Sequence, residues 1–469
     1  MKDRQRARKI AIVGGGISGL AAAVFTRQRF PEAHILLFES EEQAGGVLST
    51  EVHERFVLER GPLAISADDA QIRALLDALE LTDALEPAEG LGDRYIYAEG
   101  ALRKVSFDPR VLVREGLLSR RGAARAMMEP LIPRARTPEK AGDATNPPPS
   151  TEAVWDFFAR RFGSEVAERL VQPLLLGITT GETRDTDMQT LFPTLTRVEA
   201  ESGSVLGAFA MDRLRRRPRA SLTQYWLRGK GLQMIAHAVT ALPGLDIYTD
   251  TTIERIEAGQ QDAPESKSGY TLHDQRGHSW SADEVIIATP TFVSAQLLKD
   301  LAPVAATELQ RIEHYGMALV QFVYRKKDLG HLPRGLQFLV GRGQGLRMIG
   351  AQWATDVFPD QAEHEVAVLR CLYGGEFDRD ASALTHADLI RTARVELATI
   401  LGLETIPKEE HVMIWPRAVP HFRPGHQLRR ARILAALEAL PNLQVIGSGV
   451  SGLSIAACVQ AGYESAQRL

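Results

Sequence analysis

Cysteine is nearly missing from this sequence: Cys371 and Cys458 are the only two in 469 residues. Two thiols cannot build a disulfide framework, and neither sits in a metal-ligand spacing, so a reducing compartment is the plain reading and no metal is expected. Charge of one sign is also scarce. A net charge of −4 gives no reason to expect nucleic acid as a partner. No uninterrupted apolar stretch reaches the roughly 18 residues that a spanning helix needs. No Ser/His/Asp arrangement, metal cluster or paired carboxylates stand out as a motif, and no internal repeat is evident. What remains is an ordinary globular composition, 44% hydrophobic and 24% charged. The length suggests about three domain-sized units.

Near its start the chain reads Lys9-Ile10-Ala11-Ile12-Val13-Gly14-Gly15-Gly16-Ile17-Ser18-Gly19-Leu20. This is a short buried strand, a glycine turn and the first turns of a small-residue helix. Gly14 allows the tight turn, Gly16 lets backbone approach a pyrophosphate, and Gly19 lets helix and strand lie close. The helix opening at Ile17 and Ser18 points free N–H groups and its positive dipole end at the phosphates. The next strand, Ile35-Leu36-Leu37-Phe38, ends at Glu39-Ser40, where a carboxylate can accept hydrogen bonds from an adenosine ribose. A strand before the glycines, a helix after them and an acid about twenty residues on make the dinucleotide motif strong. Arg4, Arg6, Arg8 and Lys9 ahead of an apolar run to Phe25 also have the outline of a signal peptide. That run holds the spaced glycines and ends at Thr26-Arg27 without a cleavage pattern, so it is read as fold.

Further along, Glu51 to Leu63 alternates and closes in the turn Gly61-Pro62, and a core-facing helical stripe follows (Ile72, Leu75, Leu76, Leu79). Arg94-Tyr95-Ile96-Tyr97 is strand-like, and Arg94 is a candidate for bidentate pairing with a substrate carboxylate. A basic helical stretch covers 110–128, a polar loop 134–150. A helix carrying Trp155, Phe157 and Phe158 ends near Gly163, and a second runs from Glu165 to a break at Pro173. Leu174 to Glu182, with Gly177 and Gly181, suits close backbone approach to a flat ligand or a buried turn. The arginine run within 211–219 is either a solvated loop or a face for an anionic membrane. Val285-Ile286-Ile287-Ala288-Thr289-Pro290 is a buried strand stopped by proline. Strands at 317–324, 336–340, 346–351 and 365–373 and a helix at 386–401 read as an inserted α+β domain. Asn442 to Gly447 is a strand into a second glycine turn, Ser448-Gly449-Val450-Ser451-Gly452, and a helix through Ile455 follows. Such a unit suits a helix N-terminus aimed at the other end of the same dinucleotide. The two ends of the chain are then expected in one domain, close together.

Several stretches carry a family resemblance. Gly45-Gly46, six residues after Glu39 and followed by Thr50, resembles the extension of the flavin-dependent amine oxidase superfamily and implies FAD rather than NAD. Gln172-Pro173-Leu174 through Gly181, Trp415-Pro416-Arg417-Ala418 through Gly425-His426, and Gly447 through Cys458-Val459 are more specific. Together they resemble the flavin-dependent protoporphyrinogen oxidases over nearly the whole chain.

The resemblance implies an α/β fold. A discontinuous Rossmann-like FAD domain would cover 1–90, 221–302 and 411–469, with a helical, membrane-associating domain at 91–220 and an α+β substrate domain at 303–410. It implies an enzyme that takes six electrons from protoporphyrinogen IX in three flavin turnovers, with dioxygen converted to hydrogen peroxide. Carried over residue by residue, Glu39, Gly61, Ile253, Trp415, Val450 and Ile455 contact FAD. Gly45, Gly46, Pro62, Leu63, Ala288, Thr289, Gly447 and Gly452 complete that site. Arg94 pairs with a propionate, Leu336 and Leu339 lie on the tetrapyrrole, and Gly177 lines the opposite wall. Departures are Val47 in place of a basic residue, Leu336 in place of Phe, and Ser448 in place of Asn. No catalytic base is assigned, because the cofactor carries the redox chemistry; His421 and His426 are read as structural. Expected partners are the porphyrinogen, dioxygen, a membrane surface on the inner face of the cell membrane, ferrochelatase for handover, and a second copy of the chain; a cytoplasmic location goes with these. Coproporphyrinogen III, with four carboxylates rather than two, is the alternative substrate; few basic partners near Arg94 in sequence tilt the reading towards protoporphyrinogen. An amine oxidase and a non-catalytic flavoprotein or membrane-surface partner are the remaining readings.

Overall fold

The computed structural model describes residues 7–89, 94–135, 151–214, 223–259, 269–330 and 337–469. They fall into two units. The first comprises 1–87, 221–313 and 429–469, and the second 88–220 and 314–428. The segments expected as separate helical and α+β domains thus form one unit. Residues 411–428, expected in the FAD domain, also differ: Glu409–Pro420 is a strand that pairs along His314–Arg325 in the second unit.

The first unit is built on a parallel five-stranded sheet in the order Leu443–Val445, Glu284–Ile287, Lys9–Val13, His34–Phe38, Leu245–Tyr248. Both faces are covered, one of them by a second sheet together with helices, which is why its strands are continuous apolar runs rather than alternating ones; Ile10, Ala11 and Ile12 are fully buried. The helix Ile17–Arg29 is buried from Ile17 through Thr26, so it needs small side chains all round. Its partner is the last helix, Ile455–Arg468, and the two cross very closely. A Cβ on Gly462 would stand 2.7 Å from the Ala22 nitrogen. Arg8, ahead of the first strand, hydrogen-bonds the Leu469 carbonyl, so the start of the described residues and the last residue meet in this unit. A three-stranded antiparallel sheet, Ile253–Ala258, Tyr270–Asp274 and Ser279–Ala282, packs against it through the shared apolar core.

The second unit holds a seven-stranded mixed sheet in the order Glu409–Pro420, His314–Arg325, Val366–Gly374, Met348–Trp353, Gln337–Val340, Arg94–Ala98, Ala101–Lys104. One face, with Val320, Phe322, Phe338, Trp353, Cys371 and Tyr373, is sealed by the helix His386–Leu401. The other face meets the helix Gln172–Thr179, whose Leu176 joins Met317 and Ile349 in a small apolar cluster. Pro173, expected to break a helix, instead lies inside continuous helical backbone: Ser164–Val166 passes through a π-helical stretch, Ala167–Val171, directly into Gln172–Thr179, and a widened turn of this kind accommodates a residue without an N–H. The helices around 109–131 and 154–214 form a subdomain around a fully buried ion pair, Glu129 with Arg161. Glu129 also accepts from Ser204 Oγ at 2.6 Å and from the Val205 and Leu206 nitrogens. The arginine run of 211–219 has its cationic side chains outside the described residues.

Candidate active site

Every cofactor residue named from the sequence except Trp415 lies in the first unit. Gly14, Ala288 and Gly447 end three adjacent parallel strands, since Ala288 N donates to Val13 O and Ile446 N to Ile287 O. This is the carboxyl edge of an open parallel sheet at its switch point, where such folds hold nucleotides. The turn is tight enough to exclude side chains: a Cβ on Gly19 would sit 1.9 Å from the Gly14 carbonyl oxygen. Gly16 is the exception. A Cβ there would meet no protein atom within 4 Å, so the chain leaves open space beside the N-terminus of the Ile17–Arg29 helix. No side chain caps that helix end, and its first N–H groups are free to meet an anion.

The second glycine pair frames the same space. Gly45 N donates to Gly15 O at 2.9 Å, and a Cβ on Gly46 would stand 3.3 Å from the Gly16 Cα. Gly61 follows closely, its would-be Cβ 2.0 Å from the Val47 carbonyl oxygen, so Gly61, Pro62 and Leu63 lie beside that loop. Glu39 is 7% exposed and pinned. Its Oε2 accepts from Gly15 N at 2.8 Å, its Oε1 from Glu41 N at 3.0 Å and Ser40 Oγ at 3.1 Å. Thr251 N donates to Glu39 O, bringing the start of the Ile253 strand alongside the acid. At the far side Val450 N closes a turn onto Gly447 O, and Gly452 leads to Ser454, which caps the last helix ahead of Ile455. A cradle lined by backbone, open only at Gly16 and flanked by an acid, fits a dinucleotide.

Glu59 gave no signal in the sequence. It is buried and accepts from Trp226 Nε1 at 2.6 Å, Leu232 N at 2.8 Å and Thr50 Oγ1 at 2.8 Å. It thereby fastens the loop after Gly46 to the chain entering the Met234–Thr240 helix. Its strand neighbours are apolar, and nothing local marks one acid as a hub.

The substrate residues fall in the second unit. Arg94 opens its strand and is exposed; Leu336 lies outside the described residues. Gly177 and Leu339 come together, but in contact: a Cβ on Gly177 would stand 2.7 Å from Leu339 Cδ2. They are touching neighbours rather than facing walls of an open slot, so a macrocycle entering there must turn the Leu339 side chain aside. Trp415 sits on the Glu409–Pro420 strand opposite Met317. At the other end of the Gln172–Thr179 helix is a cavity of about 270 Å³ reaching Arg342, Arg347 and Phe377. Its cations are committed, Arg342 to Glu182 at 2.7 Å and Arg347 to Asp378 at 2.6 Å. His421 is buried beside Gly181 and Tyr315. Burial pushes its pKa down, against the pull of Glu376 and Asp185, which agrees with a neutral structural histidine.

The comparisons with known proteins decide the family. The flavin containing amine oxidoreductase family matches residues 17–469. The chain belongs to that family. It is therefore a flavoprotein, and FAD is its cofactor. Curated relatives are porphyrinogen oxidases: protoporphyrinogen oxidase 1 of Arabidopsis thaliana chloroplasts is 27% identical over 97% of this chain and 86% of its own length. The coproporphyrinogen III oxidase of Bacillus subtilis is 25% identical over 97% and 96%, and that of Mycobacterium tuberculosis 28% over 97% and 95%. Among solved structures, a chain from Exiguobacterium provisionally assigned as a protoporphyrinogen oxidase aligns with a TM-score of 0.82, at 22% identity over 98% of both chains. Cyclohexylamine oxidase from Brevibacterium oxydans aligns with a TM-score of 0.69 at 19% identity, also over 98% of both. This flavin oxidoreductase thus has its cofactor cradle in one unit and its expected substrate residues in the other.

Proposed function

We propose that this flavoprotein oxidises a porphyrinogen to the porphyrin with dioxygen as acceptor. The observation carrying the reading is near-full-length similarity to porphyrinogen oxidases, joined to a second-unit sheet face that sets Arg94 beside an apolar row containing Leu339. Bound FAD supplies the hydride acceptor. Gly16 and the uncapped helix end hold its pyrophosphate, and Glu39 holds its ribose. Arg94 orients a propionate, and Leu339 with Leu176 keeps water from the macrocycle. Over three turnovers six electrons and six protons leave the substrate, and three dioxygen become three hydrogen peroxide. Protoporphyrinogen IX is the substrate the sequence favours; coproporphyrinogen III is the second reading, supported by Arg370, which pairing through Gln337 and Gln352 puts on the same sheet face as Arg94. A peripheral membrane contact fits the exposed Met127, Met128 and Leu131 beside Phe209 and Leu214. No helix among the described residues is long and apolar enough to cross a membrane.

The test is anaerobic mixing of the yellow protein with each porphyrinogen separately, following flavin bleaching and porphyrin fluorescence. Bleaching with an amine but with neither porphyrinogen refutes the reading.

A further inference from the structure

The register of the second unit's sheet carries a feature that no stretch of sequence displays. Gln337 lies directly opposite Arg94 on one side and Gln352 on the other. Gln352 lies opposite Arg370, and Arg370 opposite Gln321. Residues directly opposite across neighbouring strands present side chains to the same face. Arg94, Gln337, Gln352, Arg370 and Gln321 therefore form one transverse row across five strands. Two residues along, on the same face, runs an apolar row: Ile96, Leu339, Gly350, Leu372 and Leu319. That second row meets Leu176 and Gly177. The face thus has a greasy band covered by a helix and, parallel to it, a polar band with an arginine at one end and another within it.

The polar band is costly in this form. Arg370 and Gln321 are 6% and 2% exposed, and two amide atoms, Gln321 Oε1 and Gln337 Nε2, have no hydrogen-bond partner. Buried amides left unsatisfied are rare and call for an explanation. A ligand carboxylate would supply an acceptor for the donor Gln337 Nε2; Gln321 Oε1 is itself an acceptor and is not answered by one. The two arginines are three strands apart, roughly 14 Å at the usual strand spacing, which is a span across a macrocycle rather than between neighbouring substituents. Protoporphyrinogen carries its two propionates on neighbouring rings, whereas coproporphyrinogen carries one on each of four rings.

Resting on the porphyrinogen reading, we infer that this row is the carboxylate-reading edge of the substrate site. Arg370 is its second cationic anchor, Gln337 and Gln352 are amide donors between the two anchors, and the row selects a tetracarboxylate porphyrinogen over a dicarboxylate one. Arg370 lies far from Arg94 along the chain, which is why a search near Arg94 for basic partners finds few.

The test compares kcat/KM for the two porphyrinogens in wild type, Arg370→Met and Gln337→Leu, with binding of the oxidised porphyrins followed by fluorescence on the same FAD-loaded proteins. Wild type is expected to favour the tetracarboxylate substrate. Arg370→Met should lower the tetracarboxylate-to-dicarboxylate ratio roughly 10- to 100-fold, the scale of one charge-assisted hydrogen bond. Gln337→Leu should lower it less. Because it removes an amide whose Nε2 has no hydrogen-bond partner, it should keep a wild-type melting temperature, so it remains informative where Arg370→Met fails to fold. A wild-type preference for the dicarboxylate substrate, or equal losses for both substrates in both variants, overturns the row's role. Selective coproporphyrin binding that the variants abolish, with no turnover of either porphyrinogen, upholds the row and removes the proposed reaction.

Discussion

The Gly16→Ala substitution isolates the cofactor's claim on the cradle. Around most glycines of the motif a methyl group collides with the protein itself, so lost flavin and lost fold cannot be separated. At Gly19 the clash is with the Gly14 carbonyl oxygen at 1.9 Å. At Gly16 the new methyl meets no protein atom within 4 Å. The backbone there is extended, with φ −72° and ψ 175°, which alanine adopts without strain. Apo-protein stability should therefore stay within about 0.5 kcal/mol of wild type, as for substitutions away from special features. The methyl would occupy the space in which a phosphate approaches the helix N-terminus. Displacing the phosphate from even one backbone N–H forfeits about 1.5–3 kcal/mol, the worth of a hydrogen bond to a charged group. That corresponds to a roughly 10- to 100-fold weaker Kd for FAD. Titrating apo-protein with FAD by fluorescence quenching, beside a thermal melt of the apo form, measures both quantities. A Gly16→Ala protein that binds FAD as tightly as wild type would mean that the open space at Gly16 is not the pyrophosphate site.

Arg94→Ala should cut kcat/KM for a porphyrinogen roughly 10- to 100-fold through loss of a charge-assisted bond, with flavin content by absorbance unchanged; unchanged kinetics removes Arg94 from the site. Gly462→Leu forces a side chain against the Ala22 nitrogen and Ala21 Cβ. Overpacking of this kind costs about 1–3 kcal/mol, and a melting temperature equal to wild type would contradict the close helix crossing. Glu129 should shape the acid limb of stability. Burial pushes its pKa up, but bonds from Ser204, Val205, Arg161 and Leu206 outweigh this and leave it lowered. A lowered folded pKa means stability that is present above the ordinary glutamate range and lost as pH falls through the folded value. Glu129→Gln should therefore be less stable than wild type at neutral pH and converge on it in acid; a constant gap across pH would remove Glu129 as the titrating group.

Much of the first unit was legible because its candidate cofactor cradle is made of backbone. A glycine is needed wherever a turn, a phosphate or a helix approaches within van der Waals distance, so the sequence must spell the site out as Gly14, Gly16, Gly19, Gly45, Gly46 and Gly447. The strand and helix order at both ends follows from unbroken apolar runs flanked by those glycines. The second unit was legible only in its elements. Its strands at His314–Arg325, Met348–Trp353 and Val366–Gly374 follow from alternation and β-branched content. What they set side by side does not, because pairing partners lie far apart in sequence and a shift of one residue exchanges the two faces. Pro173 was misread for a related reason: the π-helical stretch Ala167–Val171 just ahead of it lets the helix continue past a proline, and nothing in the local sequence announces that stretch.

The same contrast bears on how such an oxidase changes substrate. A cradle made of backbone tolerates almost no substitution, since a Cβ at Gly14, Gly19 or Gly61 meets main-chain oxygen within 3 Å. A band of side chains on a sheet face is different, because each of Gln337, Gln352 and Gln321 can be exchanged for an apolar residue of similar volume without disturbing a backbone hydrogen bond. Substrate preference is thereby separated from cofactor retention: replacing amides in the row should move the chain between carboxylate-rich and carboxylate-poor ligands while its flavin stays bound. The arginines set the limit on that freedom. Arg370 is a cation 6% exposed, and burying a charge is costly unless it is paired, so it can change less freely than the three glutamines, which can change one at a time.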